Sequence, residues 1–195
     1  MTPLIICPAR QMSEGRPCKN REAWPALMDT LSALPNTWTR VLITDDPFLH
    51  ILGVDLRWLT MGPHHTVSQA ARIATELFDH VPHDLVVVLQ PSSPARNRHS
   101  YVMSAVAHLE RFPDHSSVVS VVPWTGEPPS KACTLSPDGH LVIPATPEAR
   151  QAQPRHYRRD GTVYAVRAQY ARQGDLYGPA PIPLLIDPAD SVTLD

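Results

Sequence analysis

The 195-residue sequence predicts an α/β fold with a largely parallel sheet, and three observations carry that expectation. Short apolar runs rich in β-branched residues recur along the chain, continuous rather than alternating, as strands covered on both faces require. Between them lie stripes at helical spacing. Strand and helix alternate through residue 122, the order of βαβ units.

Taken in order, "LIIC" (4–7) predicts the first strand, and Trp24, Leu27, Met28, Leu31 and Leu34 form one face of the first helix. "VLIT" (41–44) predicts the second strand. Val67, Ala70, Ala71, Ala74, Leu77 and Phe78 make the next apolar stripe, with Thr66 as its N-cap. "DLVVVLQ" (84–90) follows as a strand, then a helix carrying Val102, Ala105, Val106, Leu109 and Phe112, then the strand "SSVVSVV" (116–122). Beyond 122 the rhythm changes. "SKACTL", a "PDG" turn at 137–139 and "HLVI" read as a hairpin, and a long irregular stretch leads to the strands "GTVYAVR" (161–167) and "PLLI" (183–186). A loop that long inside a compact domain is functional or covers a partner.

Composition narrows the function. With 17 basic and 19 acidic residues, the net charge of −2 supplies no basic face for nucleic acid and no polybasic membrane anchor, so the expected partner is small. "PLIIC" is too short for a signal-peptide core, and no run of about 18 apolar residues exists, so a soluble, cytoplasmic protein is expected. Cys7, Cys18 and Cys133 are an odd number without CxxC spacing, which favours reduced structural cysteines over a disulfide framework, a zinc site or a catalytic thiol. His64, His65, His80 and His83 lack companion ligands at metal spacing and are read as exposed. The 22 prolines are spread between apolar runs, as ordered-loop punctuation within one domain spanning 1–195.

Three polar stretches are candidate ligand sites, the first two following strands, near whose carboxyl ends ligands bind in such folds, and the third just before a strand. In "PARQMSEGRPCKN" (8–20), Gly15 lets backbone approach an anion, Ser13 adds a hydroxyl, and Arg10 and Lys19 bring charge. The spacing is neither GxxxxGK[ST] nor GxGxxG, and a solvated turn with two bases is the competing reading. In "LQPSSPAR" (89–96), Gln90 leaves a buried strand on a stiff support, offering donors and an acceptor; the alternative is a helix-entry loop with serine caps. In "RQAQPRHYRRDGTVYAVR" (150–167), Arg150, Arg155, Arg158 and Arg159 surround Gln151 and Tyr157, which suits a carboxylate or phosphate, or else forms a solvated face.

Together these stretches resemble the acylneuraminate cytidylyltransferases, the CMP-sialic acid synthetase family. "ARQMSEGRPCKN" matches AR-x-x-S-x-G-x-P-x-KN, "LQPSSPAR" matches LQP-[TS]-SP-x-R, and "RQAQPRHYRRDGTVY" matches RQ-x-x-P-x-x-[YF]-R-x-[ND]-G-x-x-Y, in order from Ile5 to about Tyr164. The resemblance implies a Rossmann-like three-layer nucleotidyltransferase fold, mostly parallel, with a protruding hairpin arm at about 128–160 that makes a homodimer or, alternatively, lids a monomer. It implies a Mg²⁺-dependent reaction in which an acidic α-keto sugar acceptor attacks the α-phosphate of CTP and pyrophosphate leaves. Arg10, Ser13, Gly15, Lys19, Asn20 and Gln90 would bind nucleotide, Arg10 and Lys19 as the catalytic charges. Gln90, Lys131, Gln151, Tyr157 and Arg158 would face the acceptor.

The chain departs from the pattern near its end. The family's metal-binding D-x-D strand aligns with "SVTLD", so Asp195 is the expected metal ligand and Thr193 replaces the other aspartate. A hydroxyl is a weak substitute at a hard cation. Asp187 and Asp190 are rival ligands, or a solvated turn before a final edge strand, and Asp45 with Asp46 is expected to support the fold. The segment between "TDD" and "HHTVSQAA" is expected to be a short loop, with Thr66 replacing a hydroxyl contact to nucleotide. The departures leave room for another acidic acceptor, an octulosonate or a phosphonate, and for a catalytically impaired nucleotide-binding relative acting as a sensor or interaction partner.

Overall fold

The computed structural model describes residues 2–11, 18–52, 57–60, 66–126, 133–142 and 155–194, with the backbone alone at 50–52 and 57–60. Along these residues run β1 (Pro3–Ala9), α1 (Lys19–Ser32), β2 (Thr39–Thr44), α2 (Pro47–Leu52), β3 (Arg57–Thr60), α3 (Val67–Leu77) and β4 (Leu85–Val88). There follow α4 (Arg98–Arg111), β5 (Ser117–Pro123), β6 (Thr134–Leu135), β7 (Leu141–Val142), β8 (Tyr157–Arg167), α5 (Ala168–Ala171) and β9 (Pro181–Leu185). A seven-stranded sheet has the order β3-β2-β1-β4-β8-β5-β9. Its pairings are parallel except where β8 lies antiparallel between β4 and β5.

Both faces of the sheet are covered, as its continuous apolar strands require. Ile5, Cys7, Leu42, Leu85 and Val87 pack with Trp24, Leu27 and Leu31 of α1 and Val102, Ala105 and Leu109 of α4. Their neighbours Leu4, Ile6, Val41, Ile43, Val86 and Val88 pack with Ala70, Ala71 and Ala74 of α3 and Ala168 and Ala171 of α5. The alternation of one strand between two clusters is the period-2 geometry of a pleated sheet, and it creates three layers. Thr66 caps α3 as expected: its hydroxyl accepts from the Gln69 N–H, and the Gln69 side chain accepts from the Thr66 N–H.

Three stretches differ from the sequence expectation. Residues 47–60 hold α2 and β3 rather than a loop alone, elements too short to display a period. β8 begins at Tyr157, before "GTVYAVR", because the polar Tyr157, Arg158 and Arg159 pair with Pro123, Val122 and Val121 of β5. The segment 191–194 is not a strand: the edge strand β9 lies before Asp187 rather than after it, and Leu194 N–H donates to the Ser92 carbonyl. The expected hairpin is present as a separate two-stranded sheet, β6 with β7, whose Leu135, Leu141 and Val142 are 72%, 60% and 49% exposed.

Candidate functional site

β1 and β4 are adjacent parallel strands, and the strand order reverses between them: β2 and β3 lie to one side, while the chain returns to the other with β4. The carboxyl ends at such a switch point form the crevice where ligands of α/β sheets bind. Arg10 follows β1 and Gln90 lies two residues past β4, so both stand at that crevice. The end of β4 stays on β1, since Leu89 N–H donates to the Ile6 carbonyl.

The loop after β1 is tied down at its ends. Asn20, on the first turn of α1, donates from its side-chain amide to the Arg10 carbonyl (2.8 Å), and Cys18 N–H reaches the Gln11 carbonyl (3.3 Å). Cys18 takes φ 60° at the helix start, which turns the chain into α1 and sets half-buried Lys19 at its first position. Thus Asn20 ties the Arg10 backbone to the start of α1, where Lys19 is its neighbour; Ser13 and Gly15 lie outside the described residues.

Asp45 and Asp46 brace this loop from β2. Asp45 Oδ1 accepts from Gln11 N–H (2.6 Å), and Asp46, 1% exposed, receives a two-pronged contact from Arg21 at 2.7 and 2.8 Å. The Arg21 hydrogen bond holds the Asp46 carboxyl below its ordinary value. A depressed folded pKa makes the contribution complete above the unfolded value near 3.8 and lost as pH falls through the lower folded one. Asp46→Asn is therefore expected to flatten the loss of stability below about pH 4, measured by denaturant unfolding. Identical acid slopes in the two proteins would show that the pair contributes nothing there.

Beyond Gln90 lies a cavity of about 340 Å³ lined by Thr66, Val67, Ser68, Gln90, Arg159, Tyr164, Leu176 and Tyr177. Arg159 donates to the Tyr177 hydroxyl and lies over its ring. Tyr164 is hydrogen-bonded to the Gln90 side chain, and burial raises its phenol. The result is a half-open polar chamber with one guanidinium, suited to an anionic, hydroxyl-bearing ligand.

The expected acceptor residues divide. Gln90 lines this cavity, whereas Tyr157 and Arg158 are exposed on β8, Arg158 opposite Val122, one pleat position from Arg159. Lys131 and Gln151 lie outside the described residues. Arg159 stands in the cluster singled out in the sequence and Tyr164 closes the same matched motif, although neither is an expected site residue; Ser68, Leu176 and Tyr177 carry no spacing signal that would have found them.

The described carboxylates near the crevice do not fit a divalent cation. Asp46 is neutralised by Arg21, Asp45 accepts from Gln11, and Asp190 accepts from the Tyr101 hydroxyl (2.8 Å). Asp187 accepts from Ala189 N–H in a turn. Among the described residues no three His, Cys, Asp or Glu side chains form a cluster for a metal, and Asp195 lies outside them. Likewise, no helix of the described residues is long and apolar enough to cross a membrane.

Sheet order, layers and crevice define a three-layer, Rossmann-like α/β fold. Among solved structures it is similar to the CMP:2-keto-3-deoxy-manno-octonic acid synthetase complexed with CTP, with a TM-score of 0.67 and 13% identity over 95% of this chain and 91% of that one. A second likeness is to the 4-diphosphocytidyl-2C-methyl-D-erythritol synthase from Anaerococcus prevotii DSM 20548, with a TM-score of 0.59 and 9% identity over 99% of this chain and 92% of that one. The bifunctional IspDF from Campylobacter jejuni has a TM-score of 0.64 at 11% identity, with 98% of this chain covering 52% of that one. No family model matches the sequence, and no curated protein matches it.

Proposed function

We propose that this protein is a cytidylyltransferase that transfers CMP from CTP to an acidic acceptor, of which an α-keto sugar of the sialic-acid or octulosonate type is the first choice and a phosphonate an alternative. The observation that carries the reading is the crevice between β1 and β4, with Arg10 and Lys19 on one side and, past Gln90, a chamber holding Arg159 on the other. The fold shared with a synthetase complexed with CTP supports it.

In this reading the loop after β1, with Ser13 and Gly15, holds the triphosphate, and Arg10 and Lys19 stabilise charge that develops as pyrophosphate leaves. Asn20 holds the loop through the Arg10 carbonyl. Gln90 stands between nucleotide and acceptor, orienting the attacking hydroxyl, with Lys131, Gln151, Tyr157 and Arg158 on the acceptor side. Mg²⁺ is proposed as the counterion of the triphosphate, with Asp195 as protein ligand; the described carboxylates are engaged elsewhere and no step is assigned to the metal. Mass spectrometry of a reaction containing CTP, Mg²⁺ and either 2-keto-3-deoxy-manno-octonate or N-acetylneuraminate tests the transfer. A CMP ester of the sugar is expected, and unchanged CTP across acidic acceptors would contradict it.

A second reading, a relative that binds nucleotide without turnover, is favoured by Thr193 and by the engagement of Asp190 with Tyr101. A cytoplasmic homodimer assembled through the 128–160 segment completes the proposal, because Leu135 and Leu141 leave apolar area on a hairpin too small to be stable alone. Leu141→Asp is expected to shift the sedimentation equilibrium toward monomer by at least tenfold in dissociation constant. An unchanged equilibrium would remove the hairpin from the interface.

A further inference from the structure

Arg159 and Tyr164 line the same cavity although five positions separate them on one strand, and an odd separation puts residues of a regular strand on opposite faces. The cause is a bulge. Tyr164 pairs with Val119 and Arg159 with Val121, so β8 advances five positions while β5 advances two. Val119 and Val121 share a face, and their partners therefore share it too. Without the three extra residues, Thr162 would stand opposite Val121 and Arg159 would be carried away from the chamber.

The bulge is held at each of its residues. Val163 N–H donates to the Ser120 hydroxyl (2.9 Å), and the Thr162 N–H and hydroxyl donate to Asp160. Gly161 takes φ +79°. The Thr162 carbonyl accepts from Nε of Arg98 at 2.8 Å, across 64 positions of sequence. Arg98 is 1% exposed, and among the described residues its two terminal nitrogens have no hydrogen-bond partner. Burial pushes its guanidinium down to about 10. A guanidinium placed in a core at that cost, with one directed bond, is a poor stabiliser and a good fixer of register.

We infer that Arg98 is a positioning residue for the acceptor chamber, acting through the Thr162 carbonyl to hold the β8 bulge that brings Arg159 beside Tyr164 and Gln90. This rests on the chamber's assignment to the acceptor. Arg98 has no part in holding CTP, whose proposed cradle lies on β1 and α1.

The test is a double-mutant cycle of Arg98→Met and Arg159→Ala, reading KM for CTP and for 2-keto-3-deoxy-manno-octonate or N-acetylneuraminate by pyrophosphate release. Each single variant is expected to raise the acceptor KM about tenfold with CTP KM within twofold, and the double variant no further; Arg98→Lys, which keeps a donor, recovers part of the loss. Additive effects of about a hundredfold, or an equal rise in the KM for CTP, would overturn the inference. Should Arg98→Met fail to fold, Ser120→Ala cuts another tie of the same bulge and is expected to give the same acceptor-only effect. A wild-type enzyme that turns over neither sugar defeats the functional reading alone. Hydrogen exchange then decides: at least tenfold faster exchange of amides 160–164 in Arg98→Met, or in Ser120→Ala should that variant fail to fold, with β1 unchanged, supports the ties that hold the bulge, and unchanged exchange refutes them.

Discussion

Lys19→Ala is expected to lower kcat/KM for CTP by about 10²- to 10³-fold, the scale on which single preorganised charges act on a transition state. Lys19 opens α1 beside the loop whose ends are fixed by Asn20 and Cys18, a rigid support from which its ammonium would meet the proposed triphosphate. The side chain is half-buried and alanine is a good helix former, so stability should change by less than about 0.5 kcal/mol. Steady-state kinetics at saturating acceptor, with thermal unfolding of the same preparations, separates the two effects. A fall in rate that tracked lost stability, or no fall at all, would remove Lys19 from the triphosphate site.

The second large effect is steric and structural. Gly161 has φ +79°, and a Cβ there would stand 2.5 Å from Oγ of Ser93 and 3.5 Å from the Gln90 amide nitrogen. Gly161→Ala combines backbone strain of about 1–2 kcal/mol with overpacking of about 1–3 kcal/mol, a total of about 2–5 kcal/mol. For a chain of this length that is a fall in Tm of roughly 4–20 °C. The Ser93→Ala background isolates the steric part: without Oγ the next contact is Ser93 Cβ at 3.4 Å, so the added cost of Gly161→Ala should shrink to the backbone strain. The turn that carries Gln90 is the same turn that meets Gly161, with Ser93 N–H donating to the Gln90 carbonyl. A displaced turn moves Gln90, and a higher acceptor KM should accompany the lower Tm. Equal melting temperatures for wild type and Gly161→Ala would show that the turn and β8 are not packed as described.

What was legible in the sequence follows from how each element is stabilised. β1, β2, β4 and β5 are buried on both faces, and that requirement writes itself as uninterrupted apolar runs such as "LIIC" and "LVVV". α3 announces itself through the Thr66–Gln69 capping box and an alanine stripe. β3 is four residues long and α2 six, below the length at which a period is visible. At the site, Arg10, Lys19, Asn20 and Gln90 stand in motifs that mark strand exits, so the crevice could be foreseen. That Arg159 rather than Arg158 lines the chamber could not. It depends on strand parity, which the bulge resets through Ser120 and Arg98, both distant from Arg159 in the sequence, and through Gly161, whose place in the same motif does not by itself signal a bulge. Tyr177 reaches the chamber from beyond α5, a long-range juxtaposition with no local spacing.

The transferase is tested most directly by pyrophosphate release from each of the four nucleoside triphosphates, with Mg²⁺, in the presence and absence of acidic acceptors. Release confined to CTP, requiring an acceptor and lost in Lys19→Ala, is the predicted result. Stabilisation by CTP without release across acceptors and metals would contradict the transferase and leave a nucleotide-binding relative; release with another triphosphate would contradict the nucleotide assigned to the crevice.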